Sequence, residues 1–236
     1  TNASLYRLVK FCCLYRQHFF YLDMVRVTFY IDGFNFYYGL KKKAGIDKSW
    51  KQFYWIDFVK LCEQFLGPDQ TIEKVKYFSA APLNIGKQSR QSALFKANTL
   101  SNPDKFEIIR GKYYKKTQTC KHCGDIFEVP EEKRTDVNIS VTLIGDCLLD
   151  NTDILVIITA DSDLIPPIEF ILKNFPNKKV RIYFPPQYSS YDLKHISPRR
   201  PVYLEHNKPR FLNSVMPDTV YNSDKTDSAT IPLEWK

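Results

Sequence analysis

The stretch Asp153-Ile154-Leu155-Val156-Ile157-Ile158-Thr159-Ala160-Asp161-Ser162-Asp163 constrains the fold more than any other part of the chain. From Ile154 to Thr159 every residue is apolar or β-branched, with no polar alternation, so both faces of such a strand need cover. That is the pattern of a central strand in a parallel sheet with helices on both sides. Two acids one residue apart follow, then Leu164-Ile165-Pro166-Pro167-Ile168-Glu169-Phe170-Ile171-Leu172. The apolar spacing of this segment suits a helix carrying its prolines in the first turn. In open α/β sheets ligands bind beyond the carboxyl ends of the strands, where Asp161 and Asp163 fall.

The rest of the chain repeats the alternation of strand and helix. Residues 25–31 read as a strand ending in Asp32-Gly33-Phe34-Asn35, followed by a helix over 36–43. A helix over 56–66 stops at Gly67-Pro68, and residues 72–80 form a second strand. A polar helix spans 87–100, and a strand or hairpin arm spans 106–114. Residues 136–150 are expected to be helical, 179–184 a further strand closed by Pro185-Pro186, and 189–196 a short helix. This order argues for an α/β sandwich with a mostly parallel sheet and right-handed crossovers. Three segments are expected: a non-native or flexible leader over 1–23, a main domain over 24–197, and a C-terminal extension over 198–236 that forms extended packing or is partly disordered.

At 236 residues, 44% hydrophobic and 25% charged, the chain can bury a full core. The net charge of +8 and pI near 9.0 make a polyanion such as nucleic acid a candidate partner, although excess lysine also serves solubility. No run approaches the ~18 apolar residues of a membrane span, so no membrane association is expected. Of six cysteines only Cys120 and Cys123 have a meaningful spacing, and nothing before them reads as a cleavable signal peptide. A reducing cytoplasm is the expected location.

Two strands end in acids, Asp32 and the pair Asp161 and Asp163, and parallel strands place both on one edge. Asp136, at the start of the helix leading into the central strand, can reach the same edge. Two carboxylates ~4 Å apart repel by about 4 kcal/mol at an effective dielectric of 20. A hard divalent cation, Mg²⁺ or Mn²⁺, offsets that repulsion, since it takes oxygen ligands and keeps waters for a substrate phosphate. Bound there it makes water more acidic and screens a phosphoryl group, which is what phosphodiester hydrolysis needs. Asn35 could orient a ligand or water. The plainer reading is that an Asp or Ser at a strand-to-helix turn is an N-cap. Asp146 and Asp150 read as solvated helix positions, and Lys133 and Arg134 as surface charges or phosphate contacts.

Three blocks resemble the NYN domains, the LabA-like branch of the PIN-like nucleases. They are Phe29-Tyr30-Ile31-Asp32-Gly33-Phe34-Asn35-Phe36-Tyr37-Tyr38, Glu132-Lys133-Arg134-Thr135-Asp136-Val137-Asn138-Ile139, and Ile158-Thr159-Ala160-Asp161-Ser162-Asp163-Leu164 with Pro167. Ala160 stands where many relatives carry Gly. The resemblance implies a three-layer α/β/α domain with a metal-dependent ribonuclease site. By that likeness Asp32, Asp136 and Asp161 are the main metal ligands and Asp163 a further acid, with Asn35 and Ser162 supporting. The alternative is an RNA-binding or regulatory module of the same fold without catalysis. A phosphatase or nucleotide hydrolase using the same acids is a more distant one.

Thr119-Cys120-Lys121-His122-Cys123-Gly124 resembles half of a zinc ribbon. Structural zinc wants four ligands, and the remaining candidates are Cys62, Cys147, His195, His206 or a second protomer in a homodimer. A plain reduced loop and a redox pair are the other readings of Cys120 and Cys123. Arg110, Lys112, Tyr113, Lys115 and Lys116 mix cations with rings, as a single-stranded RNA track does. A lysine-protected edge strand would look the same. Lys41-Lys42-Lys43 reads as a complement to a helix dipole.

Overall fold

The computed structural model describes residues 24–196 and 198–236; the expected leader over 1–23 lies outside them. The first half contains β1 (Val25–Asp32), α1 (Gly33–Ile46), α2 (Phe58–Glu63), β2 (Gln70–Ser79), α3 (Ile85–Ser101) and β3 (Phe106–Arg110). A hairpin of β4 (Lys112–Thr119) and β5 (Ile126–Lys133) leads to α4 (Thr135–Leu148) and the central strand β6 (Ile154–Ile158). Then come α5 (Ile165–Asn174), β7 (Lys179–Phe184), α6 (Tyr191–Ile196) and the two-residue β8 (Val202–Tyr203).

Six strands form one sheet in the order β3-β2-β1-β6-β7-β8, every neighbouring pair parallel. The chain leaves β1 toward β2 and β3, then returns on the other side of β1 at β6. The reversal of direction therefore falls between β1 and β6, at whose carboxyl ends the expected acids lie.

Side-chain alternation splits the interior into two layers. β1 sends Val27, Phe29 and Ile31 into one core and Tyr30 into the other; β6 sends Ile154, Val156 and Ile158 into the first and Leu155 and Ile157 into the second. Helices α1 to α3 cover the first core through residues such as Phe36, Leu40, Phe58 and Leu94. Helices α4 to α6 cover the second through Ile139, Leu143, Ile168 and Leu193. The result is the expected three-layer α/β/α sandwich. Among the described residues no helix is long and apolar enough to cross a membrane.

Two features depart from the sequence reading, and a third decides between its alternatives. The arm expected over 106–114 divides at Gly111: β3 stays in the main sheet, whereas β4 leaves it to pair antiparallel with β5. A Cβ at Gly111 would collide with the Thr135 hydroxyl, so the chain crosses the start of α4 where only glycine fits.

Asp146 is not a solvated helix position. It is 5% exposed and accepts from the Tyr30 hydroxyl at 2.6 Å, from Lys76 Nζ at 2.8 and 2.9 Å and from Asn151 Nδ2 at 3.3 Å. These bonds tie α4 to β1 and β2. Asp150 does remain exposed, paired with Arg26 at 3.4 Å and with Lys178.

The C-terminal extension takes the packing alternative rather than the disordered one. It contains α7 (Lys208–Leu212) and the antiparallel pair β9 (Thr219–Tyr221) and β10 (Ser228–Thr230). Leu204, Phe211, Met216, Val220, Ala229 and Trp235 are buried in the same core as α1 to α3.

Candidate active site

Each acid arrives on its own element. Asp32 ends β1 and caps α1, accepting from the Asn35 backbone N–H at 3.0 Å. Gly33 follows because a Cβ there would strike the Tyr77 ring and the Phe78 carbonyl, so α1 starts hard against β2. Asp161 caps the short 3-10 turn Ser162–Leu164 that opens α5, accepting from the Asp163 N–H at 3.0 Å. Asp136 stands in the first turn of α4, exposed, after Arg134 at φ 74°.

The capping reading of Asp32 and Asp161 is therefore correct as geometry, but it does not account for Asp32. This carboxylate is 3% exposed. Its second oxygen accepts from Asn35 Nδ2 at 2.5 Å and from the Thr159 hydroxyl at 2.9 Å. Burial pushes its pKa up to about 6; Asn35 and Thr159 oppose the rise, and the charges of Asp136 and Asp161 add to it. A cap alone favours the ionised form, so the acid is held against its own preference by where the fold puts it.

Thr159 is the site residue that sequence reasoning missed. Its hydroxyl donates to Asp32 and accepts the Asp161 N–H at 3.0 Å, linking the ends of β1 and β6. The signal available was a hydroxyl residue closing an otherwise aliphatic strand two positions before the acid. Asp163 and Ser162 are exposed beside this link, open to a ligand arriving from solvent.

The structure thus joins Asp32, Asn35, Asp161 and Asp163 by a chain of hydrogen bonds and sets Asp136 within electrostatic reach of Asp32. Among the described residues no three His, Cys, Asp or Glu side chains are grouped so as to hold a metal ion between them. An all-carboxylate donor set suits Mg²⁺ or Mn²⁺, and Mg²⁺ takes one or two carboxylates and fills its octahedron with water. In chemistry the set fits a water-rich ion at the rim rather than an all-protein cage.

The basic arm is dispersed. Arg110 donates to Gln91 at 2.9 Å and stacks 4.7 Å from the Phe95 ring centre, and burial lowers its pKa. Lys112 lies over Tyr114, whose hydroxyl accepts from Arg134 at 3.2 Å. Lys115 pairs with Glu128 at 2.7 Å across the hairpin. Lys116 is exposed, and Tyr113 turns inward to line a cleft described below. Arg110 thus stands at the end of β3, and Lys112, Lys115 and Lys116 are exposed along β4.

Cys120 and Cys123 bound the hairpin turn. The Cys123 and His122 N–H groups lower the Cys120 thiol pKa, and Cys123 Sγ lies 3.3 Å from Asp125 Oδ2. Cys62 and Cys147 are buried in the two separate cores and supply no further ligand.

No known protein-family profile matches the chain. It is similar to 6-hydroxy-3-succinoylpyridine 3-monooxygenase of Pseudomonas putida, 25% identical over 183 residues, which are 63% of this chain and 56% of that enzyme. The chain therefore spans little more than half of that relative's length. Its fold is similar to that of a protein of unknown function from Vibrio parahaemolyticus, with a TM-score of 0.50 and 17% identity over 78% of this chain and 94% of that one.

Proposed function

We propose that the chain is a ribonuclease that hydrolyses RNA phosphodiester bonds with Mg²⁺ or Mn²⁺ at the edge formed by β1, β6 and α4. The observation that carries this reading is Asp32, a buried carboxylate raised to about 6 beside two other acids at the reversal point of the sheet. Strongly perturbed acids of this kind cluster at functional sites. The resemblance to NYN domains supports the same assignment.

Asp32 and Asp161 would hold the ion, with Asp136 approaching from α4. When bound, the ion would acidify a water and neutralise phosphoryl charge. Asn35 and Thr159 keep the Asp32 carboxylate oriented, and Thr159 passes that orientation to the Asp161 turn. Asp163, exposed at the rim, can position the attacking water and accept its proton. The net charge of +8 favours encounter with a polyanion.

The test is cleavage of a 5′-labelled single-stranded RNA in Mg²⁺, Mn²⁺ or EDTA. Metal-dependent product that disappears in EDTA is the expected result. RNA affinity that falls with salt, without product under any metal, would instead identify a binding module.

A second reading rests on the similarity to a monooxygenase that acts on a substituted pyridine. It requires uptake of O₂ with a heteroaromatic substrate and a two-electron reductant, and no turnover of RNA, so one assay pair separates the two.

A further inference from the structure

Beside the acidic edge lies a cleft of about 260 Å³ that neither the acids nor the hairpin account for. It is close to the lower end of the roughly 300–1,000 Å³ range of small-ligand sites, a size for one planar ring system rather than an extended ligand. Gly33, the residue after Asp32, and Ser79 and Ala80, at the end of β2, form its inner wall. It therefore opens on the same carboxyl edge of the sheet as Asp32.

Its wall is aromatic. Phe34, Tyr37 and Tyr38 come from α1, Tyr77 from β2, Tyr113 from the hairpin and Trp235 from the C-terminus. The α1 rings already pack on one another, with centroids 4.5 Å apart for Phe34 and Tyr38 and 5.3 Å for Tyr37 and Tyr38. Phe34 is nonetheless exposed. The opposite rim is cationic: Asn84 caps α3, whose first turn carries Lys87 and no acid, and whose backbone N–H groups favour an anion. Arg90, one turn further, pairs with Glu234 at 2.8 Å, next in sequence to Trp235, which packs on Tyr54.

Stacking rings on one side and a helix start that carries Lys87 and no acid in its first turn on the other make a site for a planar base joined to a phosphate. We propose that this cleft binds a single nucleotide of the RNA strand, with the base among the α1 rings and Trp235 and its phosphate at Lys87, next to the cleavage edge. The assignment rests on the ribonuclease reading and deepens it: the substrate is single-stranded RNA with one base drawn out of its stack.

Trp235 supplies the readout. It is itself mostly buried, at 8% exposure, but it lines the cleft, whereas Trp50 and Trp55, at 1% and 0%, do not, so quenching by a stacked base reports on Trp235. Binding of adenosine and uridine 5′-monophosphates is measured by tryptophan fluorescence in EDTA, on wild type, Tyr37→Leu and Lys87→Glu, with ribose 5-phosphate as the ringless control. Saturable quenching is expected from both nucleotides but not from ribose 5-phosphate, weakened at least about fivefold in Tyr37→Leu, as removal of one stacking ring implies. Lys87→Glu, an exposed substitution that leaves the packing intact, is expected to weaken it about threefold or more. No saturable quenching at millimolar nucleotide, equal binding of ribose 5-phosphate, or affinity unchanged in both variants would overturn the proposal. Because EDTA excludes turnover, nucleotide binding without RNA cleavage in Mg²⁺ would sink the nuclease reading alone, and cleavage without nucleotide binding would sink the cleft alone.

Discussion

At the scale of the residue, Asp32 carries the account. Its folded pKa near 6 lies above the ordinary carboxylate value of 3.8, so the folded state holds the proton more tightly than the unfolded chain does. That contribution is complete below the unfolded pKa and is lost as pH rises through the folded one. In EDTA the protein is therefore expected to lose on the order of 3 kcal/mol of stability between about pH 4 and pH 6, over and above other groups. Asp32→Asn keeps a capping side chain and removes the buried charge. It should flatten that pH dependence in urea melts and raise the metal-free melting temperature at pH 7 by a few degrees, while abolishing metal-dependent cleavage. A variant less stable than wild type at pH 7 in EDTA would contradict the view that Asp32 is strained by burial. The sequence marked this acid by its place at the end of a strand, but the strain was not legible, because burial to 3% depends on what Thr159 and α1 pack around it.

At the scale of the element, the Tyr30, Lys76 and Asp146 network and the β4–β5 hairpin behave oppositely. Asp146 neutralises a largely buried lysine, so Asp146→Ala is expected to cost about 3–5 kcal/mol by denaturant unfolding. Replacing Lys76 by Met in the same background should recover part of that, since no cation is then left unpaired. The hairpin is mostly exposed and packs little, so Lys112→Ala with Lys116→Ala should leave stability nearly unchanged. If these lysines touch RNA phosphates, the slope of log affinity against log salt should fall by about 1 for each lysine removed. The main strands and helices were readable because period and turn residues agreed, as in β7, found over Lys179–Phe184 as expected. The division at Gly111 was not, because it is set by the approach of Thr135 from 24 residues away in sequence. Asp146 was misread for a similar reason: a polar residue on a helix reads as solvated unless its distant partners, Tyr30 and Lys76, are known.

At the scale of the whole molecule, the parallel sheet brings three separated acids to one edge, and the C-terminal segment completes the core on the opposite layer from α4. The alternation of strand and helix made that sheet legible. The order of the tail was not, because its buried residues fall in short apolar groups such as Val202-Tyr203-Leu204 and Phe211-Leu212, separated by proline and polar residues without a period. Phe211 is fully buried against Phe36, Trp50 and Phe53, and Phe211→Ala should cost about 3–5 kcal/mol in urea unfolding, as a substitution in the sheet would. A cost below about 1 kcal/mol would mean that the tail is not part of the cooperative unit. The central claim, that the acidic edge is a divalent-cation site, is tested most directly by calorimetric titration of Mn²⁺ into metal-free wild type, Asp32→Asn and Asp161→Asn at pH 7. Saturable binding is expected in wild type, abolished or weakened at least about tenfold in both variants. Equal binding in all three proteins, or none in wild type at millimolar Mn²⁺, would contradict it.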